Sequence, residues 1–374
     1  MLKVLHVVGS MNYGGVESWL MNMLQLAKRN DVSFEFLVHN QEPGAFDHEI
    51  RRAGSRVIHC RKSCNLRTYS RDLTTILRDS EYNAIHSHVG YYSGIVLSIA
   101  ARNKVPIRVA HSHSELDRSM RLDRVLYRST MRYLINRNAT TILAASRNAA
   151  VSMTGNRGRF ANHAVRVIPN GIDCDKFVQG NRERTRHQLG LKETDFVVMH
   201  VGSFRKVKNH AFLIDVAGEI REENSNSKFL LVGDGPLRND IVTLVNRRGL
   251  SGMFSFLGCR NDVPDLLTNA ADCFLFPSFS EGLGIAVLEA QASGCPCVIS
   301  NTLPTEVDVV PHLIHRLSLC VPPSAWASEC LRTRRDNSCM PIAALRNSAF
   351  SAEHSFGCLL SVYHDERIDE IESR

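Results

Sequence analysis

Short β-branched runs alternate with segments of helical length and period along most of this chain, and few architectures accommodate that rhythm. In the first half the runs are KVLHVVG at 3–9, FEFLVH at 34–39, RVIHC at 56–60, AIHSH at 84–88, IRVAHSH at 107–113 and TTILAAS at 140–146. Between them stand stretches such as ESWLMNMLQLAKR at 17–29, whose apolar residues recur at helical spacing. Strands separated by helices pair in parallel, because a parallel return needs a long crossover, and helices then cover both faces of the sheet. After VRVIPNG at 165–171 and a charged stretch at 182–193, the pattern restarts near residue 190: FVVMHVG at 196–202, KFLLVGDG at 228–235, MFSFLG at 253–258, CFLFPS at 273–278 and PCVIS at 296–300. The expected class is therefore α/β, with two Rossmann-like domains whose parallel sheets face each other across a cleft. Ligands of open α/β sheets bind beyond the carboxyl ends of the strands.

At 374 residues the chain exceeds what one hydrophobic core comfortably serves. The boundaries expected are 1–170 for the N-terminal domain and 171–345 for the C-terminal one, with 346–374 a helical segment of undetermined docking. From about 301 the pattern fades, although PPSAWASECLRT at 322–333 still reads as a helix. Eleven scattered cysteines with no signal peptide ahead of them fit free thiols in a reducing compartment. Cys295 and Cys297 flank a proline with no second ligand pair nearby, so small buried apolar residues are expected there and not a metal site. No apolar run approaches the ~20 residues that cross a bilayer. The net charge of +7 admits anionic partners without choosing one.

The stretch FPSFSEGLGIAVLEAQASG, residues 276–294, concentrates the chemistry. A strand ends at Pro277, a Ser/Gly turn follows, and a helix begins near Gly284 and stops at Gly294. Backbone N–H groups at 282–285 with the helix dipole suit a phosphate, and Gly282 and Gly284 let it approach closely. IAVLEAQA at 285–292 is apolar on nearly every face, so Glu289 would be an ion in a poor solvent unless paired. A ribose diol would supply two donors at about the right rise from the diphosphate. Glu281, on the other side, would lie where an attached sugar would be. The competing reading makes Glu281 a solvated loop acid and Glu289 the partner of a core Arg or Lys.

SEGLGIAVLEAQASGCPCVIS resembles the Glu–seven residues–Glu signature of the retaining, nucleotide-sugar-dependent glycosyltransferases of family 4, which have the GT-B fold. MNYGGVESWL (11–20), VIPNGIDCDKF (167–177), VGSFRKVKNHAFLIDV (201–216), LVGDGPLRNDI (231–241) and FLGCRNDVPDLL (256–267) match in order, and ISNTLPTEVDV with RLSL is similar to capsule and exopolysaccharide members. The resemblance implies that the first domain takes the acceptor and the second the nucleotide sugar. It assigns the donor sugar hydroxyls to Glu281, the ribose to Glu289 and phosphate to the amides of Gly282, Leu283 and Gly284. Lys208 matches the family lysine that neutralises the leaving diphosphate. The family arginine falls at Ser203 here, and Arg205 is the expected substitute. Gly14 and Gly15 would approach donor phosphate and acceptor, a histidine at 111 or 113 would contact the sugar, and Arg260 the nucleobase.

The HSH pairs at 86–88 and 111–113 invite a zinc reading only if the four imidazoles converge; the expected assignment is no metal and no cofactor beyond the donor substrate. DCD at 173–175 imitates a metal-binding Asp-x-Asp, but Asp173 is expected to order a turn. Arg118, Arg121, Arg124, Arg128 and Arg132 recur at helical spacing and could rest on an anionic membrane near a lipid-linked acceptor. The whole implies a hexosyltransferase of surface glycan assembly, cytoplasmic or peripheral on the inner membrane face, with a nucleotide-sugar donor, a glycan or lipid-linked acceptor and no nucleic acid partner. A sugar-nucleotide epimerase of the same fold, or a silent glycan- or nucleotide-binding subunit, are the alternatives.

Overall fold

The computed structural model describes residues 1–61, 65–113, 121–155, 165–177 and 180–364, the Asn148 side chain excepted. It divides into two compact units, Met1–Gly171 with Ala352 onward, and Ile172–Ser351.

The first unit is built on seven parallel strands: β1 (Leu2–Val8), β2 (Val32–Val38), β3 (Val57–His59), β4 (Ala84–Ser87), β5 (Ile107–Ser112), β6 (Thr141–Ala144) and β7 (Val165–Val167), in the order β3-β2-β1-β4-β5-β6-β7. Alternation along β1 explains why both faces are covered. Val4 and Val8 enter one core, shared with the helix Gly15–Arg29, while Leu5 and Val7 enter the other, beneath the helices Leu66–Arg78 and Ser93–Arg102. The helix Ala352–Tyr363, whose docking the sequence leaves open, joins the first of these cores through Phe356, Leu359 and Tyr363. Its Ser355 accepts from Trp19 Nε1 at 3.0 Å and donates to the Pro169 carbonyl at 3.0 Å.

The second unit repeats the plan with β8 (Phe196–Val201), β9 (Ser227–Val232), β10 (Phe254–Gly258), β11 (Cys273–Phe276), β12 (Cys297–Ser300) and β13 (Ile314–Leu317), in the order β10-β9-β8-β11-β12-β13, all parallel. β13 is a strand that the fading pattern past 301 does not announce, because IHRL is short and half polar. The helix expected at 322–333 spans Pro323–Arg332. All ten cysteines among the described residues are free, and Cys295 and Cys297 lie in the core.

Candidate functional site

In the second unit, β11 runs into a turn and then the helix Ile285–Ala292, as its apolar composition requires. Gly284 stands before the helix at φ +94, a left-handed conformation that costs a side-chain-bearing residue dearly. Leu283 is sunk into the core, which leaves the main chain around it at the turn. Among the described residues, the amides of Gly282, Leu283 and Gly284 donate to no protein acceptor, so three N–H groups beside a helix N-terminus remain for an anion. Gly294 ends the segment at φ +69, where a Cβ would lie 1.9 Å from the Asp336 carbonyl oxygen.

Glu289 sits on that helix without a hydrogen-bond or ion-pair partner among the described residues. Burial pushes its carboxyl from 4.5 up to about 7, outweighing the Lys176 ammonium, which pulls the other way. Glu281 is the opposite case. Its Oε1 accepts from Lys208 Nζ at 2.7 Å, with both side chains largely withdrawn from solvent. The alternative weighed from sequence is thus inverted: the loop acid is the ion-paired one, and the helix acid is bare.

Lys208 arrives from the loop after β8. Its ammonium stands 4.7 Å from the centre of the Phe276 ring, and its stem passes Gly202, where a Cβ would meet Lys208 Cδ at 3.2 Å. Gly233, at φ +133, abuts the same loop so closely that a Cβ would fall 2.2 Å from the Gly202 carbonyl oxygen. These two glycines hold the Lys208 loop against the turn after β9, a role that sequence reading did not assign; the GDG at 233–235 was the available signal. Arg205 opens the short helical turn Lys206–Lys208 and is exposed. Arg260 is gripped through two contacts by Asp262, which ties up the guanidinium expected at a nucleobase. Asp173 caps the turn Cys174–Lys176 by accepting from Asp175 N at 3.1 Å, as expected of it.

In the first unit, Gly14 precedes the helix Gly15–Arg29 in extended conformation, with the Glu17 carboxylate so near that a Cβ on Gly14 would be 2.4 Å from its Oε2. Burial raises the Glu17 carboxyl. His111 and His113 share one face, ring centres 3.9 Å apart. His113 lies past the end of β5 and is half-buried, but both its nitrogens are engaged, Nδ1 with Asn170 Oδ1 at 3.0 Å and Nε2 with His88 Nδ1 at 2.7 Å. His111 is wholly buried; its Nδ1 faces His86 Nε2 at 3.1 Å and its Nε2 has no partner. The two HSH pairs do converge, joined by His6 from β1.

The expected arginine stripe changes character. Arg118 lies outside the described residues. On the helix Leu122–Asn138, Arg132 turns inward to the carbonyls of Ser152 and Met153 and to the Tyr91 hydroxyl. The outward face carries Leu122, Leu126 and Tyr133, exposed by 86%, 70% and 59%, together with exposed Arg121 and Arg124. Among the described residues no helix is long and apolar enough to cross a membrane.

Comparison with known proteins adds an independent line. Residues 13–176 match the family described as Glycosyltransferase Family 4, and residues 181–328 match Glycosyl transferases group 1. The chain is 31% identical to the putative glycosyltransferase EpsF of Bacillus subtilis, over 97% of this chain and 96% of that one. It is 25% identical to the capsular polysaccharide biosynthesis glycosyltransferase CapH of Staphylococcus aureus, over 80% and 82%. The crystal structure of Anabaena HepE in complex with UDP-glucose superposes with a TM-score of 0.76 at 20% identity, covering 98% of this chain and all of that one, which shows the shared fold.

Proposed function

The chain belongs to the glycosyltransferases of group 1 and family 4, and on that footing we propose that it moves a hexosyl residue, with retention, from a nucleotide-diphosphate sugar to an acceptor hydroxyl in capsule, exopolysaccharide or related glycan assembly. The observation that carries this reading is Glu289: a largely buried carboxyl with no hydrogen-bond or ion-pair partner among the described residues, on the helix whose N-terminal turn offers three amides that donate to no described protein group. A ribose diol answers the first need and a diphosphate the second. The HepE complexes concern UDP and UDP-glucose, so a uridine nucleotide is the first donor to try.

In this reading Lys208 and Arg205 meet the charge that builds on the departing phosphate, the stage at which fixed cations stabilise most. The Lys208–Glu281 pair would open as donor binds, releasing the ammonium to phosphate and the carboxylate to sugar hydroxyls. Among the described residues none presents itself as a covalent nucleophile, so the acceptor would attack on the face the diphosphate leaves, with a phosphate oxygen taking its proton. The exposed leucines of the helix Leu122–Asn138, with Arg121 and Arg124 exposed beside them, fit an anionic bilayer that carries a lipid-linked acceptor.

The test is the Glu281→Gln variant with a panel of nucleotide sugars and a lipid-linked glycan acceptor. Transfer should fall at least ~100-fold while cooperative melting persists. Full transfer by the variant would overturn the assignment.

A further inference from the structure

Five histidines meet on one face of the first sheet. β1, β4 and β5 are neighbours, His6 pairs in register with His86, and the period of two brings His88, His111 and His113 to the same side. We propose that His88, His111 and His113 form a binding site for a borderline transition-metal ion of the Zn2+ class, three imidazoles with a further coordination position open.

One ring nitrogen from each of the three lies within 4.8 Å of the other two. His88 Nδ1 and His113 Nε2 point at each other across 2.7 Å, and the His111 nitrogen not used by His86 is buried and unpartnered. The outer nitrogens are all held: His113 Nδ1 by Asn170 Oδ1 at 3.0 Å, His88 Nε2 by His6 Nδ1 at 3.0 Å, and His111 Nδ1 by His86 Nε2, whose own Nδ1 faces the Tyr363 hydroxyl at 2.6 Å. Metal-bound histidines use their second nitrogen in this way, which fixes ring and tautomer. Bonds of about 2.0–2.1 Å in a tetrahedral site set ligand nitrogens roughly 3.3 Å apart, so His88 and His113 need separate by only about half an ångström.

Trp19 packs against all three imidazoles, 5.4 to 6.2 Å between ring centres, and walls one side. His88 and His113 keep partial exposure, which supplies an entry path. The bound ion would tie the ends of β4 and β5 together and satisfy the orphaned His111 nitrogen. Nothing in the transfer chemistry proposed above requires it.

The chelator-stripped full chain is titrated with Co2+ and then Zn2+ without any sugar substrate, so the outcome is independent of transfer activity. One equivalent of Co2+ should bind with the visible bands of a tetrahedral site, Zn2+ should displace it, and Zn2+ should raise the melting temperature. His111→Ala and His113→Ala should each weaken binding by more than about tenfold, whereas His312→Ala, at an exposed position, should not. Because a core variant can misfold, Zn2+ protection of wild-type His113 from carbethoxylation, mapped by mass spectrometry, gives a second readout. No saturable binding by the folded wild type, binding undiminished in both variants, or unchanged modification of His113 would each overturn the proposal, leaving a chain of hydrogen-bonded neutral imidazoles.

Discussion

Replacing Glu289 by glutamine should stabilise this protein above neutral pH and abolish nucleotide binding. The carboxyl rises from 4.5 to about 7 on folding because burial outweighs the attraction of Lys176. Below pH 4.5 it is protonated in both folded and unfolded chains and costs nothing. Between 4.5 and about 7 the unfolded chain gives up its proton while the folded one retains it, so stability falls as pH rises; above that the loss is complete. At 1.36 kcal/mol per pH unit the full loss is about 3 kcal/mol. Residual solvent contact brings the expected value to about 1–3 kcal/mol, several degrees of melting temperature for a unit of this size. Calorimetry of wild type and Glu289→Gln at about pH 4 and about pH 8 should show nearly equal melting at the lower pH and a higher-melting variant at the upper. UDP should raise the wild-type value and leave the variant's unchanged, and its binding near pH 6.5 should release a proton, since diol donors favour the ionised acid. A variant that melts lower than wild type at pH 8, or a difference that does not change with pH, would show that the carboxylate already has a partner and refute the reasoning.

Lys208→Met should cut transfer by about 10²–10³ and cost about 1–3 kcal/mol by stranding Glu281; adding Glu281→Gln should restore the melting temperature but not transfer, and both are read from the same preparations. Gly233→Ala should cost more than about 2 kcal/mol, since its Cβ would collide with the Gly202 carbonyl at a φ of +133, visible as a lowered urea midpoint. The double change Leu122→Asp and Leu126→Asp should reduce co-sedimentation with phosphatidylglycerol vesicles several-fold and shift stability by no more than about 0.5 kcal/mol.

All but one of the strands coincide with stretches marked in the sequence, and the central ones were legible because a strand buried on both faces is a continuous apolar run, which survives without knowledge of its neighbours. The exception, β13, is short and half polar, so its membership depends on pairing with β12. The phosphate-type turn was legible for a related reason: Gly284 and the apolar helix after it are local signals. Arg132 was misread because helical spacing says which residues share a face but not which way that face looks. Packing of the helix Leu122–Asn138 against Ser93–Arg102, where Gly94 admits the Met131 carbonyl, turned Arg132 inward and left Leu122 and Leu126 out.

By itself the sequence determined the two-sheet α/β plan, the family, and the presence of an acid in an apolar helix, because periodicity, glycine placement and composition act within a few residues of one another. Only the tertiary structure decided that Lys208 reaches Glu281 across 73 positions while Glu289 is left bare, and that imidazoles from three strands converge under Trp19. Partnerships of that kind follow from strand order and side-chain reach, and a linear pattern contains neither.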